Sequence, residues 1–92
     1  MSVQWLFDLI QDRKENPSEG SYTSSLFAGG LPKIAQKVGE EASEVIVAAL
    51  AQNDQRLIEE VADLTYHTLV LLAARNLSPT DVQTELERRH KK

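Results

Sequence analysis

A chain of 92 residues fits one domain, 1–92, and a domain of this size buries only roughly 60–70% of its unfolded surface, which leaves room for a subunit interface. Its 41% hydrophobic and 26% charged residues suit a globular protein; no apolar run nears the roughly 20 residues of a membrane span, and the absence of cysteine excludes disulfides, thiolate zinc sites and cysteine nucleophiles. A net charge of -4 argues against sequence-independent binding to a nucleic-acid backbone, so a polyanionic ligand needs a bridging cation.

The N-terminus, Met1-Ser2-Val3-Gln4-Trp5, has no basic segment ahead of an apolar one, so no signal peptide is expected and the cytoplasm is the default compartment. Outside three short zones rich in Gly and Pro the chain lacks the period-two alternation of strands, and the expectation is all helix. A first helix follows Ser2 as N-cap. Trp5, Leu6, Leu9 and Ile10 form its apolar stripe, and Asn16-Pro17 stops it.

From Pro17 to Gly30 the abundance of Ser, Gly and Thr predicts an ordered loop, with Leu26 and Phe27 on at most a single turn. The aromatic and hydroxyl groups of this segment suit ligand contact; Tyr22 and Phe27 equally suit pinning a connector to the core. Pro32 is placed to open a second helix running to about Gln52. Its expected buried stripe is Ile34, Val38, Ala42, Val45 and Ala49, widened by Ile46 and Leu50. A third helix, Gln55 to about Arg75, starts from a turn at Asn53-Asp54 and ends at Asn76 in the left-handed conformation. Leu57, Val61, Leu64 and Leu71 make its stripe, with Ile58, Leu69 and Leu72 beside it. The short connection makes these two helices an antiparallel hairpin. Ser78-Pro79-Thr80-Asp81 opens a fourth helix with Val82 and Leu86 on its apolar edge, and the chain closes on the basic tail Arg88-Arg89-His90-Lys91-Lys92.

The chemistry concentrates on the hairpin. Lys37-Val38-Gly39-Glu40-Glu41-Ala42-Ser43-Glu44 carries three carboxylates within one and a half turns, where like charges one turn apart cost roughly 0.2–0.5 kcal/mol per pair. Glu40 lies too deep in the helix for the dipole to favour it, and one lysine does not balance three glutamates. The third helix repeats the theme with Glu60-Val61-Ala62-Asp63, followed one turn later by His67. Glu41 with Glu44 and Glu60 with Asp63 share i,i+3 spacing, so each helix aims two carboxylates in one direction. Facing pairs of this kind call for a divalent cation, and all-oxygen donors select a hard one, Mg²⁺ first. Magnesium retains open positions for the oxygens of a di- or triphosphate, which points to phosphoanhydride hydrolysis, with Glu40 left to deprotonate or orient water. Lys37 either contacts phosphate, the better reading, or only screens the glutamates. His67 either hydrogen-bonds Asp63 or acts at phosphate, and Tyr66 is read as packing.

The combination Ser21-Tyr22-Thr23, Lys37-Val38-Gly39-Glu40-Glu41-xx-Glu44, Glu60-xx-Asp63-Leu64-xx-His67 and Arg88 resembles the phosphoribosyl-ATP pyrophosphohydrolases of histidine biosynthesis, within the MazG-like all-α nucleotide pyrophosphohydrolases. The resemblance implies hydrolysis of 1-(5-phosphoribosyl)-ATP to 1-(5-phosphoribosyl)-AMP and pyrophosphate with Mg²⁺, by cleavage between the α and β phosphates, in the cytoplasm. It implies a homodimer in which two hairpins complete a four-helix-bundle core, without nucleic-acid or membrane partners. By carry-over Glu41, Glu44, Glu60 and Asp63 hold metal, Glu40 serves as base, and Lys37, Tyr22, Thr23, His67 and Arg88 stand on the substrate side. A fused cyclohydrolase domain does not fit in this length. Two other readings are a housecleaning pyrophosphatase acting on (deoxy)nucleoside triphosphates through the same carboxylates, and a non-catalytic helical dimerisation module.

Overall fold

Short polar side chains start the helices. In the computed structural model, which describes residues 2–91, the Ser2 hydroxyl accepts from the Trp5 N–H at 3.3 Å and opens α1 (Val3–Glu15). Ser21 does the same for α2 (Tyr22–Gly29), accepting from Ser24 N–H at 3.2 Å. Gly30 closes α2 and opens α3 (Leu31–Ala51); its φ of 88° lies in the left-handed region, so a side chain there would be strained. Pro32 sits in the first turn of α3, where a missing N–H costs nothing. Asn53 caps α4 (Asp54–Ala74) by accepting from Arg56 N–H at 2.9 Å. The Asp81 carboxylate accepts from Ser78 N–H at 2.9 Å at the start of α5 (Pro79–His90). No strand occurs among the described residues, and no helix is long and apolar enough to cross a membrane. Of the expected basic tail, Lys92 lies outside the described residues.

The end of α4 is built with equal care. Asn76 adopts φ 60°, Leu77 N–H donates to Leu72 C=O at 2.8 Å and Asn76 N–H to Ala73 C=O at 3.1 Å, the pattern that satisfies the last carbonyls of a helix. Lys14 reaches across from α1 and donates from Nζ to Ala73 C=O and Asn76 Oδ1, both at 2.7 Å. A positive charge thus sits on the negative end of α4 and ties α1 to it.

The α3–α4 hairpin is the dominant packing unit, and α1 and α2 cover one end of it. The core there consists of Phe7, Ile10, Leu26, Ile34, Leu69, Val70 and Ala73. Toward the turn the same helices are bare: Ile46, Val47, Leu50, Ile58 and Val61 are exposed, Leu50 by 84%. The accessible surface is 6380 Å², where a compact monomer of this mass shows about 5400 Å². The radius of gyration is 14.4 Å, against about 12 Å for a compact chain of this length.

Several expectations are corrected. The segment read as a loop from Pro17 to Gly30 contains α2, because Ser21 caps it and Leu26, fully buried, anchors it. On α1 the buried residues are Phe7 and Ile10; Trp5 and Leu9 are exposed, because α4 and α2 cover the adjoining face. On α3 the buried set is Ile34, Glu41 and Ala48, with Val38, Ala42 and Val45 half-buried and Ala49, Ile46 and Leu50 exposed. On α4 Leu69 is buried as expected and Val70 and Ala73 join it, whereas Ile58 and Val61 face outward. The exposed stripe residues on both helices have one cause: among the described residues nothing covers the turn end of the hairpin.

If α2 is a structural element anchored by Leu26, the Leu26→Ala substitution leaves a cavity and lowers stability by about 2–4 kcal/mol. Urea denaturation followed by circular dichroism checks this through a lower midpoint at unchanged slope.

Candidate functional site

Midway along the hairpin, α3 contributes Glu41 and Glu44, and α4 contributes Glu60 and Asp63. Helix spacing makes this possible, since residues three apart share a face. One carboxylate oxygen from each of Glu41, Glu60 and Asp63 lies within 4.8 Å of the other two. Glu41 and Glu60 are buried, at 6% and 5% exposure, and Asp63 and Glu44 stand on the solvent side.

The two buried glutamates are arranged alike. Each has a cation one turn earlier on its own helix: Lys37 Nζ is 3.5 Å from Glu41 Oε1, and Arg56 Nη2 is 2.6 Å from Glu60 Oε1. In each the second oxygen, Oε2, is buried without a hydrogen-bond partner. Leaving a buried carboxylate oxygen unpartnered is among the costlier defects a small fold can carry. The donor chemistry, three or four carboxylates with no sulfur and no free imidazole, fits a hard divalent cation, and these orphaned oxygens are where such an ion would be held.

Glu44 feels the crowding directly. Its carboxyl lies close enough to Glu60, and next to Glu41, that a proton shared with either is favoured and a third negative charge is not, so its pKa is pushed up to about 7. Lys37 is pulled two ways. Burial favours its neutral form, but the hydrogen bond to Glu40, the neighbouring Tyr22 phenol and the charges of Glu40 and Glu41 outweigh it, and its pKa is raised. Glu40 lies outside the cluster: it is exposed, 3.4 Å from Lys37 Nζ, and accepts from Gln36 Nε2 at 3.4 Å. Lys37 therefore bridges Glu40 and Glu41.

The aromatic side of the site is built by α2. Tyr22 stacks on Tyr66 with ring centres 6.2 Å apart, and His67 stands edge-on to both. The Tyr22 hydroxyl is 3.0 Å from His67 Nε2, and the Thr23 hydroxyl makes a short hydrogen bond to the Tyr66 hydroxyl. His67 Nδ1 lies 2.8 Å from the backbone carbonyl of Asp63, so Asp63 is its partner through the main chain and not through the carboxylate. Tyr22 keeps 51% of its surface exposed.

Of the residues expected at the site, Glu41, Glu44, Glu60 and Asp63 are brought together, Lys37 and Glu40 border them, and Tyr22, Thr23 and His67 form a linked group on the adjoining wall. Arg88 is not brought to this group: it lies exposed on α5, whose principal neighbour is α1, and pairs with Glu85 of its own helix. Arg56 was missed. Its place one turn before Glu60 was readable as the i,i+4 counterpart of Lys37 before Glu41.

The sequence profile of the family described as "Phosphoribosyl-ATP pyrophosphohydrolase" matches residues 3–90. Proteins named phosphoribosyl-ATP pyrophosphatase are similar over nearly the whole chain. The one from Listeria welshimeri is 60% identical over 87 residues, covering 95% of this chain and 84% of its own length. Those from Clostridium botulinum and Sulfolobus acidocaldarius are 51% and 53% identical over 90 residues, each covering 98% of this chain and 82% and 95% of their own lengths.

The raised Glu44 pKa predicts a pH signature in the metal-free protein. Between its ordinary value of 4.5 and about 7 the folded protein holds a proton that the unfolded chain has released, so rising pH favours unfolding across that window. In a chelator-containing buffer the melting temperature should fall from pH 5 to pH 7.5, and Glu44→Gln should flatten the slope; thermal scans read by circular dichroism check it.

Proposed function

The chain belongs to the phosphoribosyl-ATP pyrophosphohydrolase family, and from that membership we infer that it hydrolyses 1-(5-phosphoribosyl)-ATP to 1-(5-phosphoribosyl)-AMP and pyrophosphate in histidine biosynthesis, at the carboxylate cluster of α3 and α4 and with Mg²⁺. The observation that carries the site assignment is the pair of buried, unpartnered oxygens of Glu41 and Glu60 beside Asp63. Glu41, Glu44, Glu60 and Asp63 would hold the ion. When bound, it supplies charge neutralisation and polarisation to a polyphosphate that a chain of net charge -4 could not otherwise attract.

The remaining roles fall to side chains around the cluster. Lys37, kept charged by Glu40, Glu41 and Tyr22, contacts phosphate oxygens. Glu40, exposed and outside the ligand set, accepts the proton of the attacking water or orients it. Tyr22 and Thr23 stand on the substrate side with α2, whereas Arg88, on α5 and paired with Glu85, is left without a role at this cluster. Cleavage between the α and β phosphates then releases pyrophosphate.

The bare apolar residues at the turn end of the hairpin, Ile46, Val47, Leu50, Ile58 and Val61, support a homodimer in which two hairpins form a four-helix core. The excess surface and the expanded radius of gyration point the same way. A single domain spanning 1–92 working as a cytoplasmic dimer with a small-molecule nucleotide, and without nucleic acid or membrane, completes the reading.

Glu44→Ala and Asp63→Ala should each remove nearly all turnover while the helical circular dichroism signal persists. Pyrophosphate release under Mg²⁺ measured on phosphoribosyl-ATP and on a panel of deoxynucleoside triphosphates should show clear preference for phosphoribosyl-ATP. Near-parental turnover by either variant would remove the cluster from the mechanism, and preference for a deoxynucleotide would reassign the substrate.

A further inference from the structure

Two consecutive residues of α4, Tyr66 and His67, each hold a hydroxyl of two consecutive residues of α2, Thr23 and Tyr22. The pairing fixes the first turn of α2 on the helix that carries Glu60 and Asp63. His67 is buried, and both of its ring nitrogens are engaged. The Asp63 carbonyl can only accept, so Nδ1 carries the proton and donates to it. In the neutral ring Nε2 is then an acceptor, and the Tyr22 O–H donates to it. A chain of two hydrogen bonds therefore runs from the backbone of Asp63 through the imidazole to the Tyr22 hydroxyl. The Tyr22 ring is left half-exposed and stacked on Tyr66.

We propose that His67 is a positioning residue and not a substrate contact: it latches α2 to the Asp63 turn of α4 and so holds the exposed face of Tyr22 as a fixed wall of the nucleotide site. Thr23 and Tyr66 form the second half of the same latch. Without it α2 keeps the Leu26 anchor and the Ser24 hydroxyl bond to the Arg13 carbonyl at 3.3 Å, but its Tyr22–Thr23 edge loses its tie to α4. The role of Tyr22 toward substrate rests on the carboxylate cluster being the nucleotide site; the latch itself does not.

Amide side chains separate the two bonds. His67→Gln can place an acceptor near the former Nε2 and still receive the Tyr22 hydroxyl, whereas His67→Asn can serve only the Asp63 carbonyl. Kinetics under saturating Mg²⁺ should show a KM for phosphoribosyl-ATP raised about tenfold in His67→Asn and in Tyr22→Phe, the range expected for one lost hydrogen bond. The kcat should stay close to parental, His67→Gln should recover most of the loss, and the double variant should be no worse than either single one. Losses that multiply in the double variant, or a fall in kcat at unchanged KM, would show that His67 touches the substrate or the chemistry itself and overturn the proposal.

The second arm needs neither metal nor substrate. Amide hydrogen exchange across Tyr22–Gly29 in chelator should accelerate in His67→Asn and in Tyr22→Phe and remain parental in His67→Gln. Unchanged exchange in His67→Asn would overturn the latch. If the parental protein failed to hydrolyse phosphoribosyl-ATP, the functional reading would fall by that result alone, while the exchange pattern would still decide the latch.

Discussion

Two glutamates buried against each other across a helical hairpin are the constraint on which the rest of this structure depends. Glu41 and Glu60 are each given one cation, one turn back on their own helix, and each retains an oxygen with no partner. Lys37 and Arg56 serve as outer supports: they partly neutralise the pair from its flanks without occupying the space between them. Satisfying the carboxylates fully with protein donors would stabilise the fold more, but would also close the site to any ion. The arrangement therefore gives up stability at the two carboxylates, the cost that the proposed cation would offset.

That trade explains how the apolar residues are distributed. One end of the hairpin is finished by α1 and α2, with Leu26, Ile34 and Val70 fully buried and Lys14 clasping the end of α4. The other end carries exposed Ile46, Val47, Leu50 and Ile58. The carboxylates lie between the two, so the carboxylate-bearing turns of α3 and α4 are held firmly from one side only. Covering the turn end with a second hairpin would rigidify the cluster from the other side, which links assembly to the geometry of the site. The α2 latch acts from the finished side, bringing aromatic surface to the wall above Asp63.

Much of this was legible in the sequence. Capping chemistry at Ser2, Asn53 and Ser78 placed three helix starts, and Asn76 marked the end of α4, because these signals are local and depend on single side chains. The i,i+3 pairs Glu41 with Glu44 and Glu60 with Asp63 were legible for the same reason. The helix α2 was not, since Ser, Thr and Gly obscure a segment whose stability comes from burying Leu26 against distant residues. The expected stripe of α3 holds at Ile34 and, half-buried, at Val38, Ala42 and Val45, but Ile46, Ala49 and Leu50 are exposed because cover at the turn end is a tertiary matter that periodicity alone does not set. The partnership of His67 with the Asp63 carbonyl was also beyond reach: spacing suggested the right residue, but the choice between its carboxylate and its backbone depends on side-chain geometry.

The central claim, that the hairpin carboxylates form one divalent-cation site, is tested most directly by calorimetric titration of Mg²⁺ into the protein and its Glu60→Gln variant in the absence of substrate. The account predicts saturable binding to the parental protein, and its loss in the variant, whose amide cannot replace a charged ligand. Binding of equal affinity to both proteins, or no binding to the parental protein, would contradict it.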